Sequence, residues 1–427
     1  MRRRVVVTGA GCITPLGTDV QTVWQRSCNG QSGVGPLTLF DASHFPVRIA
    51  AEVKDWDATR LGDDADLWRN HARQTQFAIA AAIQAAESSG IDRDLSDPTR
   101  LGLYLGCGEV FQDFAEFSAA ASQSIHGDEF RLAEFIQHST AAWEERSEML
   151  YEPAAAACYL SGKYNAQGPN FNCISACASG NQAIGQALEI IRRADADLML
   201  CGAGHSMIHP FGVTGFHRLS TLSTRNDEPV RASRPFDRQR NGFVVGEGAA
   251  VFVLEELEHA RRRGAEIWGE IVGFGSTQDA FRVTDPHPDG RGAAASIQNA
   301  LDDAQLNPAD IDYINAHGTS TVVNDRTETL AIKVALGHDA YRIPVSSTKS
   351  MVGHLTTAGA ALELLICLMA LRTGVVPPTI NYDHPDPECD LDYVPNVARE
   401  IGCRHVLNNS FGFGGQNSVL IASRYDG

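Results

Sequence analysis

Asn172-Cys-Ile-Ser-Ala-Cys-Ala-Ser-Gly180 follows a turn, Gln167-Gly168-Pro169, and a short extended run. It then opens into a helical pattern with Ile184, Ala187, Leu188 and Ile191 on one face. Cys177 therefore falls near a strand-to-helix junction, between residues small enough to let a substrate reach its sulfur. The N-terminus of a helix carries partial positive charge, which lowers a thiol pKa and favours the nucleophilic thiolate. A free cysteine is more often a buried structural residue. The choice between these readings rests on histidines further along the chain.

Working outward, short apolar runs alternate with helical patterns. Arg4–Thr8 reads as a buried strand with Gly9-Ala10-Gly11 as the turn after it; Gly9, Gly11 and then Pro15 give no third glycine opening a helix, as a dinucleotide-binding loop would need. Trp68–Gly90 reads as a long helix and Leu101–Gly106 as a strand. From Glu109 to about Met149 the chain is helical and aromatic (Phe111, Phe114, Phe117, Phe130, Phe135, Trp143), which suggests core, with a tunnel wall or subunit interface as the other reading. Asp197–Gly204 and Gly248–Glu255 read as strands. The pattern restarts near Ile267, with strands at Trp268–Gly275, Asp312–Asn315 and Pro344–Ser347. Helices are expected at Ala293–Leu306, Glu328–Leu336 and Ala358–Leu371, and a closing hairpin at His405–Ser410 and Ser418–Ser423. Such alternation implies an α/β fold with a largely parallel sheet covered on both faces. Its repetition implies an internal duplication with a boundary near residue 260.

The 427 residues suffice for a large core, and 43% apolar with 20% charged residues is globular composition. A net charge of −17 argues against nucleic-acid and anionic-membrane binding, both of which want a basic surface. It also requires an acidic protein partner to dock on a local basic patch. Ten cysteines without CxxC pairs indicate neither a zinc site nor a disulfide framework, and free thiols in this number fit a reducing cytoplasm. The start, Met1-Arg-Arg-Arg-Val-Val-Val-Thr-Gly, reads as neither signal peptide nor membrane span.

Three turn-like stretches follow strands: Ala176-Cys177-Ala178, Ala316-His317-Gly318-Thr319-Ser320-Thr321 and Lys349-Ser350-Met351-Val352-Gly353-His354. Strand ends in an α/β fold gather side chains at one edge. A thiolate with two imidazoles can attack a thioester, and neutral imidazoles can hold an enolate oxygen without being consumed as acids. Together the three stretches favour catalysis, although each histidine alone reads as structural.

Six motifs in order resemble the β-ketoacyl-acyl-carrier-protein synthases of the elongating, synthase II type, in the thiolase superfamily. They are Ser175–Gly180, Ser233-Arg-Pro-Phe-Asp237, Gly242-Phe-Val-Val-Gly-Glu-Gly248, Asn315–Thr321, Ser346–His354 and Asn409-Ser-Phe-Gly-Phe-Gly-Gly415. The resemblance implies a duplicated α-β-α-β-α five-layer fold with mixed, mostly parallel sheets. An N-terminal half, 1–259, would carry the cysteine; a C-terminal half, 260–427, would carry the two histidines; 108–150 would be a helical insertion or cap. The implied reaction is decarboxylative Claisen condensation of a Cys177-bound acyl chain with a malonyl-carrier protein. In it His317 and His354 assist decarboxylation and hold the nascent enolate, and Lys349 acts electrostatically beside them with Glu363 as its partner; a buried ion pair that only holds the site together is the other reading of Lys349 and Glu363. The N–H groups of Cys177 and Phe413 form an oxyanion hole. Thr319, Thr321 and Phe411 bind the phosphopantetheine arm and acyl chain, and Phe413 gates the pocket. Asp325 and Glu328 are structural supports. No metal or dissociable cofactor is implied, because the phosphopantetheine belongs to the acyl carrier protein.

Val322 and Gln416 stand where the family often has proline and threonine, and both bear on pocket shape. A basic carrier-docking patch is reduced to Arg69, His71 and Arg73, with Arg218 and Arg225 as further contributors. The implied assembly is a homodimer, or a heterodimer with a chain-length-factor-like subunit. Other readings are the catalytic subunit of a type II polyketide heterodimer, a non-catalytic chain-length factor, and a cysteine hydrolase. A chain-length factor would lack Cys177; a degradative thiolase would need a late second cysteine; an initiating synthase would carry asparagine at His354.

Overall fold

The apolar runs become strands because a strand buried on both faces has no use for alternation with polar residues. The structure is a computed structural model and describes residues 2–69, 71–91, 97–108, 114–142 and 152–427. The large sheet contains β1 (Val5–Ile13), β2 (Leu101–Cys107), β3 (Asn170–Cys173), β4 (Leu198–Ser206) and β5 (Glu247–Glu256). It continues with β6 (Gly269–Gln278), β7 (Tyr313–Asn315), β8 (Val345–Ser346), β9 (His405–Gly412) and β10 (Gln416–Ser423).

Strand order is β8-β7-β9-β10-β6-β1-β5-β4-β2-β3. Outward from the centre, one half runs β1-β5-β4-β2-β3 and the other β6-β10-β9-β7-β8, the same path in two successive stretches of chain. The ladder signs repeat as well: the two inner pairings of each half are antiparallel and the two outer ones parallel. One antiparallel ladder, Val6 opposite Glu270, joins the halves. The sheet is thus mixed, with parallel pairing on the two flanks. Strands that run the same way need crossover connections; α2 below connects β3 to β4, α4 connects β7 to β8 and α5 connects β8 to β9.

The major helices are α1 (Arg73–Ser89), α2 (Ser179–Arg192), α3 (Arg291–Ala304), α4 (Val322–Leu336) and α5 (Gly359–Thr373). Alternate residues of each strand belong to different cores. Leu198 and Leu200 pack with Phe77 and Ile79 of α1 in one outer core. Met199 and Cys201 pack with α2 and α5 in the central core. In the second half Leu407, Val419 and Ile421 join α3 and α4 in the other outer core, while Val406 and Leu420 face inward. The result is five layers, α-β-α-β-α, with α2 and α5 in the middle. The stretch Thr356–Thr373 is apolar enough to cross a bilayer, at mean hydropathy 1.4, because 89% of it is buried in this central layer.

Several local expectations change. β1 does not turn at Gly9-Ala10-Gly11 but runs through it. A Cβ on Gly11 would lie 2.2 Å from the Ala81 carbonyl oxygen and one on Gly9 2.3 Å from that of Ala85. Those glycines let α1 lie against the strand. α1 starts at Arg73 rather than Trp68, which ends a separate short helix, Ala65–Trp68. α4 starts at Val322 rather than Glu328, with Thr321 as its N-cap.

The aromatic segment is not core. Helices Phe114–Gln123 and Leu132–Ala142 flank a short hairpin and leave Phe114 41%, Phe117 37% and Phe130 50% exposed. Phe114 and Phe117 each meet Phe211 edge-on at 5.1 Å. Among residues 114–141 only Ala120 and Ser124 are buried. Phe111 and Trp143 lie outside the described residues.

Candidate active site

The Cys177 bend lies between β3 and α2. Ala176 sits at φ +46°, a left-handed conformation costing an alanine ~1 kcal/mol. Ser179 Oγ holds the bend, accepting from the Ser175 N–H at 2.8 Å and donating to the Ala176 carbonyl at 2.8 Å. Ser410 Oγ, on β9, donates to the Cys177 carbonyl at 2.8 Å. Cys177 is 9% exposed.

His354 arrives from the second half, its N–H donating to the Val244 carbonyl at 2.7 Å. Its Nε2 lies 3.1 Å from Cys177 Sγ, while its Nδ1 accepts the Thr356 N–H at 3.2 Å. A neutral imidazole whose Nδ1 accepts carries its proton on Nε2, here facing the sulfur. His317, just beyond β7, has Nδ1 3.3 Å from Lys349 Nζ. An ammonium can only donate, so this ring also carries its proton on Nε2. Burial pushes both histidines well below the ordinary range, and the Lys349 charge pushes the same way. Two neutral N–H donors thus flank one sulfur. The rings stand 5.3 Å apart at 82°, and the ligand atoms of Cys177, His317 and His354 lie within 4.8 Å of one another.

The carboxylates sit one shell out. Glu363 Oε1 accepts from Lys349 Nζ at 2.5 Å. Glu328 accepts from the N–H groups of His317 and Gly318, at 2.7 Å each, and from Asn409 Nδ2 at 3.1 Å. Burial pushes the carboxyls of Glu328 and Glu363 up to about 7. Asp325 accepts the Phe236 N–H at 2.8 Å and lies 3.3 Å from Arg240. Glu328 and Asp325 contact backbone and neighbouring side chains rather than the cavity.

A cavity of about 260 Å³ opens onto the sulfur, lined by Cys177, His317, His354, Thr319, Thr321, Phe411 and Phe413. Thr319 and Thr321 hydroxyls bond each other at 2.9 Å, and the Phe411 ring lies 6.0 Å from His317. A Cβ on Gly412 would lie 3.0 Å from the Cys177 nitrogen, so the Gly412–Phe413 turn approaches the bend closely. Val322 is exposed at the same cavity and Gln416 is exposed at the start of β10. A thiol with two imidazoles also suits a soft divalent ion. Such an ion would have to displace the ring protons that face the sulfur.

Ser179, Ser410, Thr356 and Phe243 are supporting residues that sequence reasoning did not assign. Phe243 stands edge-on to His354 at 5.1 Å. It lies within the Gly242–Gly248 motif, so that motif was its signal; Thr356 had none beyond its nearness to His354.

The reduced basic patch is smaller still. Arg73 is committed to the structure, its Nε donating to buried Glu247 at 2.9 Å and its Nη2 to the Val53 carbonyl at 3.1 Å. His71 packs on Trp68 with ring centroids 4.1 Å apart, and burial pushes it down to about 4, so it is neutral. Arg69 pairs with Asp66 at 2.8 Å. Arg225 bonds the Gln239 carbonyl at 3.0 Å, and Arg218 is exposed at the end of helix Pro210–Arg218.

A five-layer duplicated fold with one cysteine and two neutral imidazoles at its centre defines a condensing-enzyme type of site, and comparison with known proteins agrees. Residues 2–260 match the family model "Beta-ketoacyl synthase, N-terminal domain" and residues 268–383 match "Beta-ketoacyl synthase, C-terminal domain". The chain is 43% identical over 427 residues to the 3-oxoacyl-[acyl-carrier-protein] synthase 2 of Coxiella burnetii, covering 99% of each. Among solved structures it resembles the ishigamide ketosynthase/chain length factor (TM-score 0.86, 34% identity, 100% of each chain). It also resembles a type II polyketide synthase acyl-carrier protein in complex with its ketosynthase bound to the hexaketide (TM-score 0.84, 33% identity, 100% of each chain). The chain belongs to the β-ketoacyl synthase family and is an acyltransferase-class condensing enzyme.

Proposed function

We propose that this enzyme elongates acyl chains by decarboxylative Claisen condensation, using acyl- and malonyl-carrier protein to give β-ketoacyl-carrier protein. The observation that carries this reading is the pair of neutral imidazoles gathered with Cys177 Sγ, ligand atoms within 4.8 Å of one another. The Cys177 thiolate attacks the acyl thioester, and the carrier thiol leaves with a proton. Malonyl-carrier protein follows. Its carboxylate leaves as carbon dioxide, and the electron pair moves onto the thioester oxygen, where two neutral N–H donors hold it without protonating it. The α-carbon then attacks the acyl-Cys177 carbonyl. The tetrahedral oxyanion faces the N–H groups of Cys177 and Phe413 and collapses by expelling the thiolate. Lys349 keeps His317 oriented, and Glu363 balances Lys349. Thr319 and Thr321 bond the phosphopantetheine arm, Phe411 packs on the acyl chain, and Phe413 gates the pocket. Asp325 and Glu328 act as supports.

No dissociable cofactor enters this scheme; the prosthetic arm arrives on the carrier protein. The enzyme works in the cytoplasm as a homodimer, with residues 1–259 and 260–427 as its two halves. The resemblance to a ketosynthase/chain length factor supports a second reading, the catalytic subunit of a type II polyketide heterodimer. The 108–150 segment adapts the enzyme to its acyl chain or partner subunit, as its exposed Phe114, Phe117 and Phe130 suggest.

Intact mass of wild type and Cys177→Ala, incubated with acyl- and then malonyl-carrier protein, tests the scheme. An adduct on wild type only, discharged as a longer β-ketoacyl product, is expected. A stable adduct without elongation points to the heterodimer, and no adduct with any acyl donor overturns the proposal.

A further inference from the structure

His205 is a third buried histidine, close enough to His354 to act on its charge, and the reaction above does not use it. It lies on β4, 2% exposed, and its Nδ1 is hydrogen-bonded to Thr356 Oγ1 across 151 residues of sequence. Thr356 is 4% exposed, lines the active-site cavity, and donates its N–H to His354 Nδ1 at 3.2 Å. His205, Thr356 and His354 therefore form one chain that ends at the sulfur.

Two features accompany this contact. Thr356 sits at φ +45°, a conformation in which a β-branched residue is a genuine outlier and which persists only where the surroundings enforce it. The His205 ring against its hydroxyl is part of those surroundings, and in this conformation the N–H donates to His354 Nδ1. The second feature is the room made for the imidazole. A Cβ on Gly108 would lie 2.2 Å from His205 Nε2 and 2.9 Å from Thr357 Oγ1.

We propose that His205 is a positioning residue that, through the Thr356 hydroxyl, holds the Thr356 N–H on His354 Nδ1 and so keeps the His354 proton on Nε2, facing Cys177. This rests on the condensation reading for its consequences in turnover, but the geometry of the thiol–imidazole pair does not depend on which thioester is the substrate. Burial pushes His205 down to about 3, which keeps it a neutral hydrogen-bonding group rather than a second cation beside His354.

Two pairs of variants test this in the full-length enzyme. Thr356→Val keeps shape and removes the hydroxyl; Thr356→Ser restores it. His205→Leu removes the ring; His205→Asn returns a polar group near the Nδ1 position. The readouts are the rate of Cys177 alkylation by iodoacetamide, kcat and KM for condensation, and the thermal midpoint. Thr356→Val and His205→Leu are expected to slow alkylation and lower kcat by about 10- to 100-fold, taking the loss seen for outer partners of metal-bound histidines as the scale. KM for the malonyl-carrier protein should stay within about twofold, since uniform binding is untouched. Thr356→Ser and His205→Asn should recover most of the loss. Wild-type alkylation in Thr356→Val, or equal impairment of the Val and Ser variants, overturns the proposal. If a large substitution prevents folding, the other pair decides. Failure of wild type to condense malonyl groups would overturn the proposed function while alkylation still judged His205.

Discussion

Glu363 Oε1 accepts a hydrogen bond from Lys349 Nζ at 2.5 Å, with both side chains 2% exposed or less. Removing Lys349 leaves the Glu363 carboxyl buried without its hydrogen-bond partner, at a cost of about 1–3 kcal/mol. Lys349→Met is expected to lose stability on that scale by urea unfolding, and Lys349→Met/Glu363→Gln to regain part of it. Neither should regain condensation, because both lack the donor at His317 Nδ1. Cys177 acylation, followed by intact mass, should persist in the double variant, since His354 keeps its own anchor. Condensation at the wild-type rate in that variant would refute the role given to Lys349.

Glu328 gives a pH signature. Burial pushes its carboxyl from 4.5 up to about 7, despite three N–H donors. A folded-state pKa above the unfolded one contributes stability that is fully present below the unfolded value and lost as pH rises through the folded one. Glu328→Gln removes this contribution and leaves the Gly318 or His317 N–H poorly matched, at a cost of about 1–3 kcal/mol. The stability advantage of wild type over Glu328→Gln should be larger at about pH 5 than at about pH 8. A difference constant with pH by urea titration would exclude Glu328 as the titrating group.

Arg240 links the loop before β5 to the second half. It lies 3.3 Å from Asp325 and 2.7 Å from Asp386, and it donates to the carbonyls of Asp237 and Thr321. Arg240→Met takes the cation from buried Asp325 and leaves Asp386 only the longer ion pair with Arg326 at 3.7 Å. The expectation is a loss of ~3–5 kcal/mol, only partly repaired by Arg240→Lys, which cannot reproduce the planar fork. Full repair by lysine in thermal unfolding would show that charge alone matters there.

Gly11→Ala tests the packing of α1 on β1. The added methyl meets the Ala81 carbonyl at 2.2 Å, so the helix must move, at roughly 1–3 kcal/mol. Thermal unfolding should register this while Cys177 alkylation in the folded fraction stays at the wild-type rate. An unchanged midpoint would mean that the helix has slack.

The sequence by itself determined the α/β class, the duplication and the three loops of the site. Buried strands and one-sided helices leave local periodicities, and small or hydroxyl residues mark where chain must approach chain. Tertiary structure decided the rest. The protons on His317 and His354 depend on Lys349 Nζ and the Thr356 N–H, and a tautomer follows from partners rather than from residue type. Arg73 looked like a surface cation in sequence but pairs with buried Glu247 across 174 residues. Phe114, Phe117 and Phe130 read as core, yet they are exposed among the described residues. Gly9 and Gly11 read as a turn, yet they admit a helix. Hydrophobic pattern is local and survives in one dimension. Hydrogen-bond pairing, proton location and the covering of a surface depend on segments far apart in the chain, and only the packed layers bring those together.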